Sequence, residues 1–542
     1  MFIPNSMIDT LFDYTALLKN EGALCELPEN KYHQEVGIVG GGAAGVLAAL
    51  ELLKMGLNPV IYEVSPRLGG RLYSQPFFQL DDAEPPFAEL GAMRIPVCSH
   101  VFFHYAKKVG LHCNVFFPTP GKEEGVIYYK KKLYEWHKGG AAPEPFKKLG
   151  ILWELFINPY VEPVHAAWKK GDLETVQILW QSYIDRFKDK SLYQVLLEQS
   201  AIGLPENLDC FGSVGFGKIG LQPFFQFSFL EILRIVVNAF FSNNKKTAEG
   251  NSEFVKRLYE LKVKTPQGEE VSLADRQAGR LHTMVLKIDY NPQTKNPILI
   301  YKDAENKISQ KEFNAVIYTG SMSAAHLLGL TEKTNSGVYL FDQKIRESVQ
   351  KSPMFYASKT YICTKNKFWK KLNLPPCILS DEITNNTFFM DYPFTKRGVI
   401  CLSYSLGLNA LKLTAVDPEH RVIIFKRVLE EICSVANKEL IPLERQVVNI
   451  DWITEKFQNG AFKISVPGSD TGQHALYYQF QSVLTPEDKG VYLAGDGICW
   501  SSGWVEGALT TALNTVYSVA KRMGAQIKGP SPLDQKPDLF TY

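Results

Sequence analysis

A glycine-rich segment between two short apolar strands constrains the fold of this chain most. Residues 36–39 predict a β-strand, residues 43–55 an Ala/Leu-rich helix that ends at Gly56, and residues 58–62 a second strand. The turn between strand and helix has the spacing G-x-G-x-x-G, with Gly40, Gly42 and Gly45. These glycines allow a tight turn, approach of a pyrophosphate to the backbone, and close packing of helix on strand. The segment therefore predicts the first βαβ unit of a Rossmann-type dinucleotide-binding domain.

An acidic residue follows the second strand at the position that such a domain requires. Glu63 lies where a carboxylate accepts hydrogen bonds from the adenosine ribose, and the helix N-terminus directs N–H groups at the phosphates. The segment predicts the following cofactor-binding residues: Gly40, Gly42, Ala43, Ala44, Gly45, Glu63 and Val64.

A second set of candidate cofactor contacts lies near the other end of the chain. The sequence VYLAGDG, residues 491–497, predicts a short strand and an acidic turn, and a glycine-led helix start follows it. Residues at this end that are predicted to contact the cofactor are Asp496, Gly503, Trp504, Val505 and Glu506. A long ligand bound by both ends of the chain is more typical of FAD than of a freely exchanging nicotinamide.

Composition restricts the partners that we expect. The formal net charge of +2 and the lack of a Lys/Arg-rich run argue against nucleic acid. Nine cysteines occur singly, and His100 and His104 have no third ligand nearby, so we expect free thiols and no metal. The N-terminus lacks the features of a signal peptide, and the longest apolar stretch, residues 36–50, is too short for a bilayer. We therefore expect a cytoplasmic protein without a membrane partner; the sequence is compatible with a homodimer.

Two further segments resemble those of the flavin amine oxidase family. SPRLGGRLYS, residues 65–74, is similar to the family's R-x-G-G-R segment, which implies that Gly70 and Arg71 contact the cofactor and that Arg71 reaches its pyrophosphate. FAELGAMRIP, residues 87–96, resembles the substrate-arginine segment of L-amino acid oxidases and of the tryptophan 2-monooxygenase group. This resemblance implies that Gly91, Ala92 and Met93 line the flavin ring and that Arg94 contacts both the flavin and the substrate.

The chemistry of arginine suits the role that the resemblance implies for Arg94. A planar guanidinium offers two parallel donors to a substrate carboxylate and so fixes the Cα–H over the flavin. The alternative is a local ion pair of Arg94 with Glu84 or Glu89.

The resemblance extends to three more side chains. Lys359 lies in a predicted strand and matches the family lysine near flavin N5, where it would hold a water and favour the reaction with oxygen. Tyr404 and Trp504 match aromatic residues beside the substrate, and Asp496 matches the residue that binds the ribityl chain. The alternatives are a core aromatic for Tyr404 and a helix-capping hydrophobe for Trp504. By this resemblance Lys359, Arg94 and Trp504 are the catalytic residues, and Arg94, Tyr404, Gly503 and Trp504 bind substrate.

Further segments resemble the tryptophan 2-monooxygenase group in order along the chain, among them GFGKIG at residues 215–220. The implied fold is α/β: a discontinuous FAD-binding domain and a substrate domain with a mixed sheet and helices. We predict an N-terminal extension at 1–35, the FAD-binding domain at 36–95, 250–330 and 485–525, and the substrate-binding and helical lobe at 96–249 and 331–484. Residues 151–200 are expected to be helix-rich, and the strand at residues 315–320 should return to the FAD sheet.

The resemblance implies FAD-dependent oxidation of an L-amino acid, with hydride transfer from Cα to flavin N5 and subsequent reaction with O2. A 2-monooxygenase would give an amide, CO2 and water. An L-amino acid oxidase would give a 2-oxo acid, ammonia and peroxide. A mono- or polyamine oxidase is disfavoured because an amine has no carboxylate for Arg94, and a flavoprotein scaffold is the non-enzymatic alternative. An aromatic or neutral substrate is favoured by the phenylalanines that crowd the 215–229 region: Phe224, Phe225, Phe227 and Phe229.

Overall fold

A computed structural model describes residues 2–19, 22–77, 85–113, 115–116, 118–241, 245–433, 440 and 446–542. Its α-helices are α1 (Ala43–Lys54), α2 (His100–Lys108), α3 (Phe146–Lys169), α4 (Leu173–Phe187), α5 (Leu192–Gln199), α6 (Pro205–Val214), α7 (Phe229–Val237), α8 (Ser252–Glu260), α9 (Met322–Leu327), α10 (Gln343–Lys351), α11 (Phe368–Lys371), α12 (Gly407–Leu413), α13 (Pro418–Cys433), α14 (Asp470–Tyr478) and α15 (Val505–Arg522).

The strands follow the same order along the chain. They are β1 (Glu35–Val39), β2 (Asn58–Tyr62), β3 (Ser74–Pro76), β4 (Phe87–Glu89), β5 (Val115–Phe116), β6 (Gly125–Tyr129), β7 (Lys132–Trp136), β8 (Lys245–Lys246), β9 (Val263–Lys264), β10 (Glu270–Val271), β11 (Gly279–Arg280), β12 (Met284–Asn291), β13 (Asn296–Lys302), β14 (Ile308–Glu312), β15 (Val316–Tyr318), β16 (Ala357–Thr364), β17 (Cys377–Ser380), β18 (Asn386–Met390), β19 (Gly398–Leu406), β20 (Val447–Asp451) and β21 (Val491–Leu493). The predicted α/β class is confirmed.

A five-stranded parallel sheet joins the two ends of the chain. Its order is β11-β2-β1-β15-β21, so the predicted strand at 315–320 lies between the first strand and the last. All the carboxyl ends of these strands point to one edge because the pairing is parallel. The glycine turn after β1 and the acidic turn after β21 therefore lie at the same edge of the sheet.

Helices α1 and α15 pack under this edge and share one hydrophobic core. Both are buried along most of their length, which explains why Ala, Leu and Val dominate them. Gly45 is required for the packing of α1, because a Cβ at this position would overlap the carbonyl oxygen of Gly40. The third glycine of the fingerprint thus sets the distance between α1 and the turn that precedes it.

A seven-stranded mixed sheet supplies the other wall of the molecule's main cavity. Its order is β20-β16-β19-β18-β17-β6-β7, with β17 and β6 parallel and the other neighbours antiparallel. The register of β16 on β19 pairs Lys359 with Tyr404, and β18 places Asn386 opposite Tyr404 from the other side. Two predicted site residues are thus neighbours across strands.

The helix-rich prediction for residues 151–200 is confirmed by α3, α4 and α5, which pack with α7 around an aromatic core. Every strand of the five-stranded sheet lies in the predicted FAD-binding segments, apart from the first residue of β1, and every strand of the seven-stranded sheet lies in the predicted substrate segments. The division into domains itself stays a prediction. Among the described residues, no helix is both long and apolar enough to span a bilayer.

We predict that Gly45→Ala destabilises the protein. The added Cβ meets backbone rather than a flexible side chain, so α1 must move, and overpacking of this kind costs about 1–3 kcal/mol. The midpoint of thermal unfolding should fall. Gly150→Ala in α3 is the matched control, because its Cβ would lie at an ordinary contact distance of 3.9 Å from Cβ of Phe216, and alanine favours the helix. Equal midpoints for the two variants would contradict the packing argument.

Candidate functional site

The main cavity has a volume of about 400 Å³ and lies at the carboxyl ends of β1, β2, β15 and β21. This is where open parallel sheets bind ligands. It continues to Lys359 and Tyr404 of the mixed sheet. The predicted residues that line it are Gly40, Gly42, Ala43, Ala44, Glu63, Val64, Gly70, Arg71, Gly91, Ala92, Lys359, Tyr404, Asp496, Gly503, Trp504 and Val505.

The glycine turn leaves the first N–H groups of α1 directed at this cavity. Gly42 is the N-cap of α1 and provides no side chain to cap it. Gly70 approaches so closely that a Cβ on it would lie 3.3 Å from Cα of Gly42. Glu63 accepts hydrogen bonds from the N–H groups of Gly41 at 2.7 Å and Ser65 at 2.8 Å, which fixes the acid beside the turn. Uncapped N–H donors, small residues and a buried acid fit the phosphates and ribose of a dinucleotide.

A second uncapped helix end faces the cavity from the rear of the chain. Trp504 is the N-cap of α15 and its side chain forms no capping hydrogen bond. Both α1 and α15 thus present the positive ends of their dipoles to the same space. The donor set therefore fits a flavin dinucleotide held at two points.

Arg71 and Asp496 join the two halves of the site. The guanidinium Nη1 donates to Oδ2 of Asp496 at 3.0 Å and to the carbonyl oxygen of Ala461 at 2.9 Å, and Nη2 donates to Oδ1 of Asp496. The N–H of Gly503 also donates to Asp496, at 3.2 Å. Two residues predicted to contact different parts of the cofactor thus form a bidentate ion pair with each other.

Lys359 lies in the wall that the mixed sheet contributes. Its Nζ donates to the carbonyl oxygens of Glu89, at 3.0 Å, and Gly91, and it lies 4.8 Å from the ring centre of Tyr404. Burial lowers the pKa of Lys359 below its ordinary value. Burial likewise raises the pKa of the nearby Glu89 carboxyl, which accepts hydrogen bonds from the Ser74 hydroxyl and the Asn251 N–H. The cavity wall therefore holds an ammonium group whose proton is easily lost.

Arg94 is not among the residues that line the main cavity, and it lies near Phe388 and interacts electrostatically with Tyr404. Its Cζ is 5.8 Å from the ring centre of Phe388. The side chain keeps some accessible surface, yet it lies deep enough for lost hydration to lower the pKa of the guanidinium. Of the two carboxylates weighed as local partners, Glu84 lies outside the described residues, and Glu89 accepts hydrogen bonds from Ser74 and Asn251.

Three more predicted residues also lie outside the cavity lining. Gly45 packs against Gly40, as described above. Met93 is buried in the core, with its sulfur 3.8 Å from the Tyr361 hydroxyl, so its side chain does not line the space predicted for the flavin ring. Glu506 accepts hydrogen bonds from the N–H groups of Val101 and Phe102 at 2.9 and 3.0 Å. The Glu506 carboxylate therefore caps α2, and only its backbone belongs to the helix start that faces the cavity.

The aromatic lining differs from the prediction. Trp504 lines the cavity and stacks on Phe240 at 5.0 Å, whereas none of the four phenylalanines between 224 and 229 lines it. Phe224 and Phe227 instead pack on Phe355, which in turn packs on the cavity residue Phe462 at 5.0 Å. The four phenylalanines therefore do not support the prediction of an aromatic substrate. Sequence reasoning also missed Trp452, whose indole lines the cavity and donates to the carbonyl oxygen of Leu90 at 3.1 Å; nothing in its local pattern indicates a site.

Comparison with known proteins places this site in a family. The model of the flavin containing amine oxidoreductase family matches residues 43–520, so the chain belongs to that family and is a flavin-dependent oxidoreductase. Tryptophan 2-monooxygenase of Pseudomonas savastanoi is 31% identical over 97% of both chains. The enzyme of the same name from Rhizobium radiobacter is 30% identical over 99% of this chain and 72% of its own length. The L-amino acid oxidase bordonein-L of Crotalus durissus terrificus is 21% identical over 90% of this chain and 87% of its own.

The fold is also that of solved amine oxidases. Putrescine oxidase bound to putrescine superimposes with a TM-score of 0.67 over 90% of this chain and 99% of its own, at 16% identity. At this identity the similarity supports the architecture alone.

We predict that Arg71→Lys weakens flavin binding. Lysine keeps the charge but cannot donate to both oxygens of Asp496 and to Ala461, so the front and rear of the site lose their common contact. The flavin-to-protein absorbance ratio of the purified variant should fall. Arg522→Lys, which pairs with Asp488 at the C-terminal end of α15 and does not line the cavity, is the control and should keep its flavin. Full flavin content in both variants would contradict this role of the ion pair.

Proposed function

We propose that this chain is an FAD-dependent L-amino acid 2-monooxygenase, which converts an L-amino acid and O2 into the amide one carbon shorter, CO2 and water. The observation that carries the proposal is the arrangement of Lys359 and Tyr404 at one end of a cavity whose other end fits a dinucleotide, with Arg94 close enough to Tyr404 to interact with it electrostatically. The similarity to tryptophan 2-monooxygenases over nearly the whole chain supports the product branch.

The cofactor that the site fits best is FAD. The turn after β1 and the N-terminus of α1 would hold the pyrophosphate, Glu63 the adenosine ribose, and the N-terminus of α15 the end nearest Lys359 and Tyr404. Bound flavin would supply the two-electron acceptor for the substrate Cα–H and the site of reaction with O2.

The protein's own side chains would bind and orient the substrate. Arg94 would pair with the substrate carboxylate once the ring of Tyr404 admits it, because a deep guanidinium gains most from a bidentate anion. Tyr404 and Trp504 would enclose the substrate between aromatic faces. Lys359, with its lowered pKa, would exchange a proton at Nζ and hold a water beside the reacting atoms.

An L-amino acid oxidase is the second candidate, because the same residues serve both reactions and an L-amino acid oxidase is among the relatives. The experiment that separates them is incubation of the purified protein with a panel of L-amino acids and oxygen. We expect mass spectrometry to detect the amide one carbon shorter than the substrate, with little peroxide formed. A 2-oxo acid with stoichiometric peroxide would support the oxidase instead, and reduction by amines alone would overturn both.

We predict that Arg94→Ala abolishes amino acid oxidation while flavin stays bound. Loss of a buried charge-paired contact costs about 2–5 kcal/mol, so kcat/KM for the best L-amino acid should fall by at least about thirtyfold. Steady-state oxygen consumption gives the rates and the visible spectrum gives the flavin content. Arg94→Lys keeps the charge without the planar guanidinium, so its kcat/KM should lie between those of the unmodified protein and of Arg94→Ala. Full activity of Arg94→Ala would refute the proposed carboxylate contact.

We predict that Lys359 makes the oxygen reaction pH-dependent. Because burial lowers the pKa of Lys359, its ammonium fraction falls as pH rises through values well below the ordinary 10.5. If the ammonium charge favours oxygen, reoxidation of the reduced protein should slow from about pH 6 to about pH 9. In Lys359→Met it should be slower and nearly constant over this range. Stopped-flow absorbance measures the reoxidation rates of both proteins. If Lys359→Met kept the pH profile of the unmodified protein, Lys359 would not be the group that causes it.

A further inference from the structure

A second cavity, of about 170 Å³, lies on the far side of Tyr404 from the main cavity. We call it the polar chamber: it is formed by residues 212–213, 219–220 and 222–223, by the turn between β17 and β18, by Tyr404 and Leu406 of β19, and by Asn409 of α12. Tyr404 lines both the polar chamber and the main cavity. Its side chain is therefore the partition between them.

The polar chamber is lined by amides and opens toward solvent. Asn386 is buried and its Nδ2 donates to the carbonyl oxygen of Tyr404 at 3.4 Å. Nδ2 of Asn409 donates to Oδ1 of Asn385 at 3.3 Å, and Gln222 is exposed at the rim. A space with this lining suits a small polar molecule rather than an apolar one.

Asp381 lines the polar chamber. Its Oδ2 accepts a hydrogen bond from the N–H of Lys130 at 3.0 Å. Asp381 thus places a carboxylate in the wall of the polar chamber, and its negative charge attracts a ligand that carries a positive group.

The charges on the two sides of Tyr404 have opposite signs. The polar chamber carries the carboxylate of Asp381, whereas Lys359 lies 4.8 Å from the Tyr404 ring on the main-cavity side and Arg94 interacts electrostatically with Tyr404. A zwitterion between them lowers its energy when its ammonium group points to Asp381 and its carboxylate to Lys359. A simple amine has no carboxylate and therefore lacks the group that Lys359 would attract.

We propose that the polar chamber is the route by which an amino acid zwitterion reaches the main cavity, with Asp381 receiving its ammonium group and the Tyr404 ring rotating to admit it. The inference rests on the proposed function. It adds that the protein selects its substrate by the presence of both an ammonium and a carboxylate group.

The role of the Asp381 charge is tested by mixing the flavin-loaded protein anaerobically with the best L-amino acid and following flavin absorbance. In Asp381→Asn the second-order rate constant of reduction should fall by about tenfold, while the limiting rate at saturation stays unchanged. Asparagine keeps an acceptor for Lys130, so the β6–β7 turn is retained. Glu382→Gln removes the same charge one residue away, outside the chamber lining, and should leave the rate constant unchanged.

The route through the polar chamber is tested by filling the chamber with a large side chain. Asn409→Trp places a large ring in the polar chamber, and Leu408→Trp places it on the adjacent, solvent-facing position of α12. Only Asn409→Trp should slow reduction at low substrate, and its flavin spectrum and its reoxidation by oxygen should match the unmodified protein.

Unchanged second-order constants in both Asp381→Asn and Asn409→Trp would overturn the route while leaving the proposed function intact. A fall in the limiting rate that matches the fall in the second-order constant would also overturn it, because the variants would then disturb the reacting geometry. If no L-amino acid reduces the flavin of the unmodified protein, the proposed function fails and the zwitterion route fails with it.

Discussion

The parallel pairing of β1 with β15 and of β15 with β21 is the constraint on which the site depends. It places the last strand of the chain two positions from the first, so that two loops more than 400 residues apart end at the same edge. The ion pair of Arg71 with Asp496 then ties these loops directly together. A ligand bound there is held by backbone N–H groups of two helices, and its binding stabilises the sheet order that creates the site.

The mixed sheet adds a different kind of wall, one that carries charge at depth. Lys359 is held by carbonyl oxygens of the 87–91 segment, and Arg94 lies near Phe388 of the same sheet. Burial destabilises the charged form of both side chains, so an anion that reaches them gains more than it would in water. The opposite charge of Asp381 beyond Tyr404 gives this end of the molecule a direction along which a zwitterion can align.

The local sequence predicted those parts of the fold that depend on near neighbours. The βαβ unit, the strand before residue 320 and the helices of residues 151–200 follow from apolar periodicity and glycine spacing, and each was found. The functions implied for Glu506 and Met93 show where this reasoning stops. Both residues lie within matching motifs, yet their side chains point to α2 and to the core, because side-chain direction is set by packing partners elsewhere in the chain. For the same reason the phenylalanines near residue 225 proved to be one layer behind the cavity.

By itself the sequence predicted a dinucleotide-binding site with contacts from both ends of the chain, because glycine spacing and the acid that follows each strand are local requirements of phosphate and ribose binding. The tertiary structure alone decided which charges face each other. The pairing of Arg71 with Asp496, the approach of Arg94 to Tyr404, and the second chamber all join segments that are far apart along the chain. Electrostatic interactions depend on distance and burial, and neither quantity exists until the sheets have closed around the site.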